Sequence, residues 1–325
     1  MCDQACYQTP SPGFRYNDNL VYHCQETNIM AKIKAVVSVI GQDQKGVVAR
    51  FATYLAEQGV NIEDIEQQVV HGQFIMDMLV DLADMSATLD GLITGLLELG
   101  QQIQMTVRVA LHDQRRQKKV AILVSKEPHC LEQLLRDDHA GKLRGDIVCI
   151  LSNHPDLKPM ADKAGIPFEH MPSTDKPAHM KWLLERLNHY NTDLAVLARY
   201  MQVITPDVLE TYKHRIINIH PSLLPYFPGA KPYHQAWESG VRVTGCTAHL
   251  VTEQLDQGPI ILQDVFHINV GKDSSDEVKL KGQQLEGRVL SDAVQMYLDE
   301  KLVVIDEKVV FRPGLSTFLD HDDKE

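Results

Sequence analysis

The chain has 325 residues, 44% hydrophobic and 23% charged, a balance that excludes an intrinsically disordered polymer and leaves room for two domains with their own cores. A net charge of −12 argues against a general nucleic-acid binder, so any anionic ligand must meet a local basic or backbone-donor site. No run approaches the ~20 apolar residues of a bilayer crossing, and Met1-Cys2-Asp3-Gln4 does not open a signal peptide; the expectation is a cytoplasmic protein with no membrane partner.

Residues 1–31 read as an irregular leader, with Pro10, Pro12 and Gly13 and no steady apolar period. Cys2, Cys6, Cys24 and His23 offer an alternative metal reading, but no close pair among them has zinc spacing. Cys130, Cys149 and Cys246 complete a scattered set of cysteines that is no disulfide framework, and reduced thiols are expected.

Residues 32–111 change period in an orderly way. Ile33 to Ile40 is β-branched and strand-like. Gly41 to Gly46 is a turn, with Asp43 placed to accept backbone N–H groups at a helix start. Val47, Val48, Phe51 and Leu55 share one helical face, and the helix stops at Gly59. A strand follows from about Ile62 to Val70, with His71-Gly72 as the hairpin turn. Phe74, Met76, Met78, Val80 and Leu82 then alternate, with Asp77 and Asp81 on the other face. Leu89, Leu92, Ile93, Leu96 and Leu97 form a second helical stripe, and Ile103, Met105, Val107 and Val109 a last strand. The order is βαββαβ, a ferredoxin-like domain. With Gly41-Gln-Asp43-Gln-Lys-Gly46 opening the first helix, it resembles the ACT domain family. That resemblance implies a regulatory or oligomerisation module, with an amino-acid effector as one reading and a homo-oligomer as the other. Asp43 and Asn61, at the two ends of the first helix, are the candidate effector residues; capping or turn roles are the alternative.

Residues 112–119, His112-Asp-Gln-Arg-Arg-Gln-Lys-Lys119, read as an exposed linker with solvated charges. From residue 120 to 325 strands and helices alternate. Val120 to Val124 is a continuous apolar run, as in a strand buried on both faces, and similar strands follow at Ile147–Leu151, around Phe168, at Leu194–Leu197 and from Arg215 to Ile219. Met180, Leu183, Leu184 and Leu187 form a helical stripe between them. A strand pair at Val241–Val251 and Ile260–Ile268, a helix from about Ser275 to Leu298 and a short hairpin near Val303–Phe311 close the chain. The fold class is α/β, with the second domain a doubly wound Rossmann-like sheet whose ligands bind beyond the carboxyl ends of its strands.

The chemistry concentrates in Ile217-Asn218-Ile219-His220-Pro221-Ser222-Leu223-Leu224-Pro225. Residues two apart on a strand share a face, so Asn218 and His220 project together, at a strand end marked by Pro221. An amide can donate to a developing oxyanion, and an imidazole can move or share a proton near neutral pH. Asp256, in the polar turn Thr252–Pro259, can orient the imidazole or take a proton from water. On spacing alone, a structural asparagine and histidine remain the alternative.

Asn218 to Pro225, then Gly229-Ala-Lys-Pro-Tyr-His234, Gly245-Cys-Thr-Ala-His249 and Leu255-Asp256-Gln-Gly258-Pro259-Ile260 resemble the folate-dependent formyltransferase superfamily. The resemblance implies that Asn218, His220 and Asp256 are the catalytic trio. It also implies that Arg199, Met201, Gln202, Val203 and Ile204 cradle the pterin, largely through backbone groups, with Thr252 and Leu255 closing over it. His249 falls near the site on the alternating strand, with a hydrogen-bonded core histidine as the alternative; His154 and His234 fall in matching stretches and receive no role. No His-x-x-x-His pair with a nearby carboxylate stands out, so no metal and no cofactor beyond the folate substrate is expected.

The acceptor is read from two features. After the first Rossmann strand stands Ser125-Lys126-Glu127-Pro128-His129-Cys130, with no glycine, a phosphate-repelling carboxylate and a proline lacking N–H, so a phosphorylated acceptor is poorly served. The ACT-like domain precedes the catalytic one, and no sizeable module follows it. With Ser152-Asn153-His154 and Gly165-Ile-Pro167, the arrangement resembles the formyltetrahydrofolate deformylase family. That implies hydrolysis of 10-formyltetrahydrofolate to formate and tetrahydrofolate, with water as acceptor, supplying purine synthesis and balancing one-carbon pools. One departure is Pro221-Ser222-Leu223 after the histidine, where that family often has His-Ser-Phe; it keeps transfer to a small amino acceptor as the alternative.

Overall fold

A computed structural model describes residues 34–112, 117–226 and 231–311. The leader with its cysteines and His23, and residues 113–116 of the linker, lie outside the described residues. Among the described residues no helix is long and apolar enough to cross a membrane.

The first unit runs β1 (Lys34–Gln42), α1 (Val47–Glu57), β2 (Asn61–Val70), β3 (Gln73–Asp81), α2 (Leu89–Gln102) and β4 (Met105–His112). Its sheet has the order β2-β3-β1-β4, with antiparallel neighbours throughout. The period-2 pattern places Val37, Val39, Phe74, Met76 and Met78 on one face, where they bury Phe51 and Leu55 of α1 and Leu92 and Leu96 of α2. Thr88 caps α2 by accepting the Gly91 N–H.

Three expectations need correction here. Asp43 does not cap α1: Gly46, at φ 85°, takes the N-cap position without a side-chain bond, and the Asp43 N–H donates to the Gly72 carbonyl at 2.9 Å. Asp43 is exposed beyond the end of β1, and Asn61 is not a helix-end residue but the exposed first residue of β2. Asp77 lies on the face of β3 away from the helices, and it is 1% exposed there between buried Ile75 and Leu79, because that face is covered as well. Leu97 stands on the outer side of α2 at 42% exposure, since the buried stripe of that helix continues through Gly100 instead.

The second unit begins with β5 (Lys118–Val124), α3 (His129–His139), β6 (Gly145–Ser152), α4 (Lys158–Ala164) and β7 (Phe168–His170). It continues through α5 (Lys176–His189), β8 (Leu194–Ala198), α6 (Pro206–Thr211), β9 (Ile216–His220), α7 (Pro232–Glu238), β10 (Val243–Leu250) and β11 (Ile260–His267). The long α8 (Ser275–Leu298) and a hairpin of β12 (Leu302–Ile305) and β13 (Lys308–Phe311) follow. The strand begins at Lys118, inside the expected linker, and Lys118 is paired rather than solvated: its ammonium meets Glu300 at 2.6 Å.

Seven strands form one sheet, ordered β11-β10-β9-β8-β5-β6-β7; β9 through β7 are parallel and β10 and β11 antiparallel. Both faces are covered, which explains the unbroken apolar runs of β5 and β8. Leu131 and Leu134 of α3 and Val289 and Leu290 of α8 cover one face; Met180, Leu183 and Leu187 of α5 cover the other. The chain leaves β5 in one direction toward β6 and β7 and in the other toward β8 and β9, so the switch point lies between β5 and β8. Ligand crevices open beyond the carboxyl ends of strands at such a point. The segments leaving those ends begin at Ser125 and Arg199.

Candidate active site

Asn218 and His220 stand near the end of β9, two residues apart and on one face. The antiparallel β10 pairs His249 with Asn218 and Thr247 with His220, and a register irregularity between Ala248 and His249 interrupts its pairing with β11. The partners of the His249 ring fix its tautomer. Nδ1 lies 2.9 Å from the Leu250 carbonyl, which can only accept, so Nδ1 carries the hydrogen and Nε2 is the acceptor. The Asn218 Nδ2 therefore donates to His249 Nε2 at 3.1 Å, which sets the flip state of the amide and leaves its second N–H for the cavity. Burial pushes the His249 pKa below its ordinary value, which keeps the ring neutral and the acceptor available.

Asp256 reaches the same place from the turn after β10, in a left-handed conformation at φ 54°. Its carboxylate lies 3.2 Å from His220 Nδ1 and 3.8 Å from His249 Nε2. The hydrogen bond to His220 is the first cause that holds the Asp256 carboxyl below the usual range, opposed by partial burial. A carboxylate so stabilised is a weak base, so of the two roles read from sequence the geometry favours orienting the imidazole. With Nδ1 of His220 directed at Asp256, the other ring nitrogen, Nε2, is buried without a protein hydrogen-bond partner.

These side chains line a cavity of about 860 Å3. Its wall includes all ten residues named for the catalytic and folate roles: Asn218, His220, Asp256, Arg199, Met201, Gln202, Val203, Ile204, Thr252 and Leu255. Met201 and Val203 are 64% and 51% exposed, apolar groups left uncovered beside the cavity, and Leu255 faces them from the opposite turn at 65%. The backbone of the 199–204 segment is anchored from the β5 end: Ser125 Oγ accepts the Met201 N–H at 2.9 Å and donates to Asn153 Oδ1 at 2.6 Å. From α5, the buried His179 Nε2 meets the Tyr200 hydroxyl. Neither Ser125 nor His179 was singled out for this work in the sequence.

Beyond Arg199 the cavity wall turns acidic. Glu127 is held by Gln283 Nε2 at 2.9 Å and stands 3.8 Å from Lys279, both on α8. Behind it lies Glu286, 1% exposed, with His129 Nε2 at 3.1 Å and Arg199 Nε at 3.5 Å from the same oxygen. His129, Cys130 and Glu286 place ligand-type atoms within 4.8 Å of one another. The Arg199 guanidinium already lies against the Glu286 oxygen, and burial raises the Cys130 pKa well above the ordinary thiol value. The described cysteines, Cys130, Cys149 and Cys246, are free and buried.

The arrangement can bind a planar ring against the 199–204 backbone. It can hold an acyl oxygen on the Asn218 amide and offer a basic nitrogen on His220 whose ring is steadied by a carboxylate. That is equipment for attack on an amide carbon.

Sequence comparison places the described units in known families. Residues 118–294 match the formyl transferase family model and residues 34–110 the ACT domain model. The class is thus a formyl transferase module carried behind an ACT domain. The formyltetrahydrofolate deformylase of Synechocystis is 39% identical over 285 residues, spanning 86% of this chain and 99% of that protein; that of Bacillus subtilis is 37% identical over 273 residues, spanning 82% and 90%. The crystal structure of the Pseudomonas syringae deformylase superposes with a TM-score of 0.78 at 34% identity, covering 87% of this chain and 96% of that one. The chain belongs to the formyltetrahydrofolate deformylase family. A glycinamide ribonucleotide transformylase from Symbiobacterium toebii shares 32% identity and a TM-score of 0.59, but covers only 62% of this chain.

Proposed function

We propose that this protein hydrolyses 10-formyltetrahydrofolate to formate and tetrahydrofolate, with Asn218, His220 and Asp256 as the reacting constellation. The observation that carries the reading is the His220 ring, tied at Nδ1 to Asp256 at 3.2 Å and bare at Nε2, beside an amide whose orientation His249 fixes at 3.1 Å. The pterin lies against the 199–204 segment, bringing the formyl group to β9. A water molecule attacks the formyl carbon while His220 Nε2 accepts its proton. The tetrahedral oxygen is held by the Asn218 N–H. His220 then returns the proton to N10 as the C–N bond breaks, releasing formate and tetrahydrofolate. No step needs a metal or a further cofactor.

Water as acceptor is supported by the wall facing the trio, where Glu127 is pinned across the cavity by α8. Its carboxylate repels a phosphorylated acceptor. One sequence feature favours a second reading, transfer to a small amine: Pro221-Ser222-Leu223 follows the histidine as in transferases. Incubation with the formyl donor alone separates the two. Formate appears without any amine if water is the acceptor, and appearance of product only after an amine is added refutes hydrolysis.

The ACT unit serves as a regulatory module that binds a small amino-acid effector and joins copies into a homo-oligomer, along the exposed β2 edge of its sheet. A monomeric mass in solution refutes that assembly. A cytoplasmic location agrees with the free, buried thiols of Cys130, Cys149 and Cys246.

A further inference from the structure

The turn that leaves β8 has an unusual origin. Arg199 has φ 63°, the left-handed region that a residue with a Cβ seldom occupies. This turn swings the backbone off the sheet so that Met201 and Val203 border the cavity. Ser125 and His179 hold the two residues that follow, but neither touches Arg199 itself in the hydrogen bonds they form. The Arg199 side chain instead points to Glu286 on α8, whose carboxylate is 1% exposed and shared with His129. Burying a carboxylate without partners is costly, and here His129 of α3 and Arg199 of the segment after β8 both lie against one of its oxygens. The sequence makes the space for it: a Cβ at Gly282 would stand 2.2 Å from the Tyr233 ring, and one at Gly287 would stand 3.1 Å from the Gln133 side chain of α3. Glycine at both places lets α3 and Tyr233 close around the carboxylate.

We infer that Glu286 is a positioning residue for substrate binding: by gripping Arg199 it holds the left-handed turn, and thereby the path of the 200–204 backbone on which the pterin rests. The inference rests on the reading of that segment as the folate-binding loop. Glu286 is 1% exposed at the back of the cavity wall and acts through Arg199, so its loss weakens binding and spares the chemical step.

The test is steady-state kinetics of the full chain with 10-formyltetrahydrofolate, with thermal melting recorded beside it. In Glu286→Gln the acid is replaced by an amide of the same shape. If the competent turn falls to about one-tenth of the population, apparent affinity falls about tenfold, so KM rises about tenfold while kcat stays within about threefold. Glu286→Asp keeps the acid on a stem one methylene shorter, and its KM is expected to fall between that of the parent and that of Glu286→Gln. A merely structural carboxylate would lower the melting temperature and leave KM unmoved in Glu286→Gln, a result that overturns the inference. Val203→Asp separates the two layers. If it raises KM while Glu286→Gln does not, Glu286 is not the positioning group; if neither raises KM, the segment is not the folate loop.

Discussion

Replacing His249 by phenylalanine tests whether the amide of Asn218 is aimed or merely present. The ring volume is retained in a site that is 2% exposed, while the acceptor for Asn218 Nδ2 at 3.1 Å and the donor to the Leu250 carbonyl at 2.9 Å are both lost. One oxyanion donor is worth about 3 kcal/mol of barrier, which sets the ceiling: Asn218→Ala lowers kcat by ~10²–10³ with folate binding largely kept. An amide that is still there but free to rotate loses part of that. At 1.36 kcal/mol per factor of ten, His249→Phe is expected to lower kcat by roughly 10- to 100-fold. Because both changes disable one donor, the double variant Asn218→Ala/His249→Phe has the rate of Asn218→Ala alone, within about threefold. The assay is formate release at saturating 10-formyltetrahydrofolate. A single variant with near-normal kcat, or a double variant slower by the product of the two factors, refutes the claim that His249 works through Asn218.

Three further outcomes follow from the same geometry. Asp256→Asn removes the negative acceptor of His220 Nδ1 at 3.2 Å, so the imidazole loses its preferred tautomer; kcat is expected to fall by ~10²–10⁴ while the melting temperature changes little, and equal kcat in the two proteins would exclude the carboxylate from catalysis. Gly258→Ala places a Cβ 1.8 Å from the Leu250 carbonyl, so the turn carrying Asp256 must move; both the melting temperature and kcat drop, and a variant with parental kcat would show that the turn position is not critical. The pH dependence has a definite sign. The His249 pKa is depressed below 6.5, so between 6.5 and its folded value the unfolded chain binds more protons and acidification destabilises the fold. The Asp256 carboxyl lies below 3.8, so its contribution is complete above that pH and is lost as pH falls through the folded value. Denaturant titrations across pH should show the parent losing stability on the acid side of 6.5 and His249→Phe losing less; parallel curves would contradict a buried neutral histidine.

How far the sequence discloses such a site depends on which residues are local to one element. Asn218 and His220 are legible because period-2 alternation alone puts them on one face, and Asp256 because a polar turn follows the next strand. His249 is not, since its bond to Asn218 depends on which strands pair and in what register, and spacing along the chain is silent on both. Glu286 is hidden for a related reason: it stands in a helix of 24 residues with many polar positions, and only the packed neighbours show it to be buried. The alternation of β3 places Asp77 on the face away from the helices, but cannot show that this face too is covered. Asp43 misleads differently, because glycine in a left-handed conformation competes successfully for the helix start.

The bond between Asn218 and His249 joins residues directly opposite one another on β9 and β10. The site is therefore written in the alignment of two strands rather than in either one. Lengthening β10 by a single residue ahead of His249 would turn that ring to the reverse side of the sheet and reproduce the defect of its removal, with every original side chain still in the chain. The stretch joining the two strands carries no such constraint on its length as far as this pair is concerned, so the same amide–imidazole contact can be kept while the wall of the cavity contributed by that stretch is reshaped.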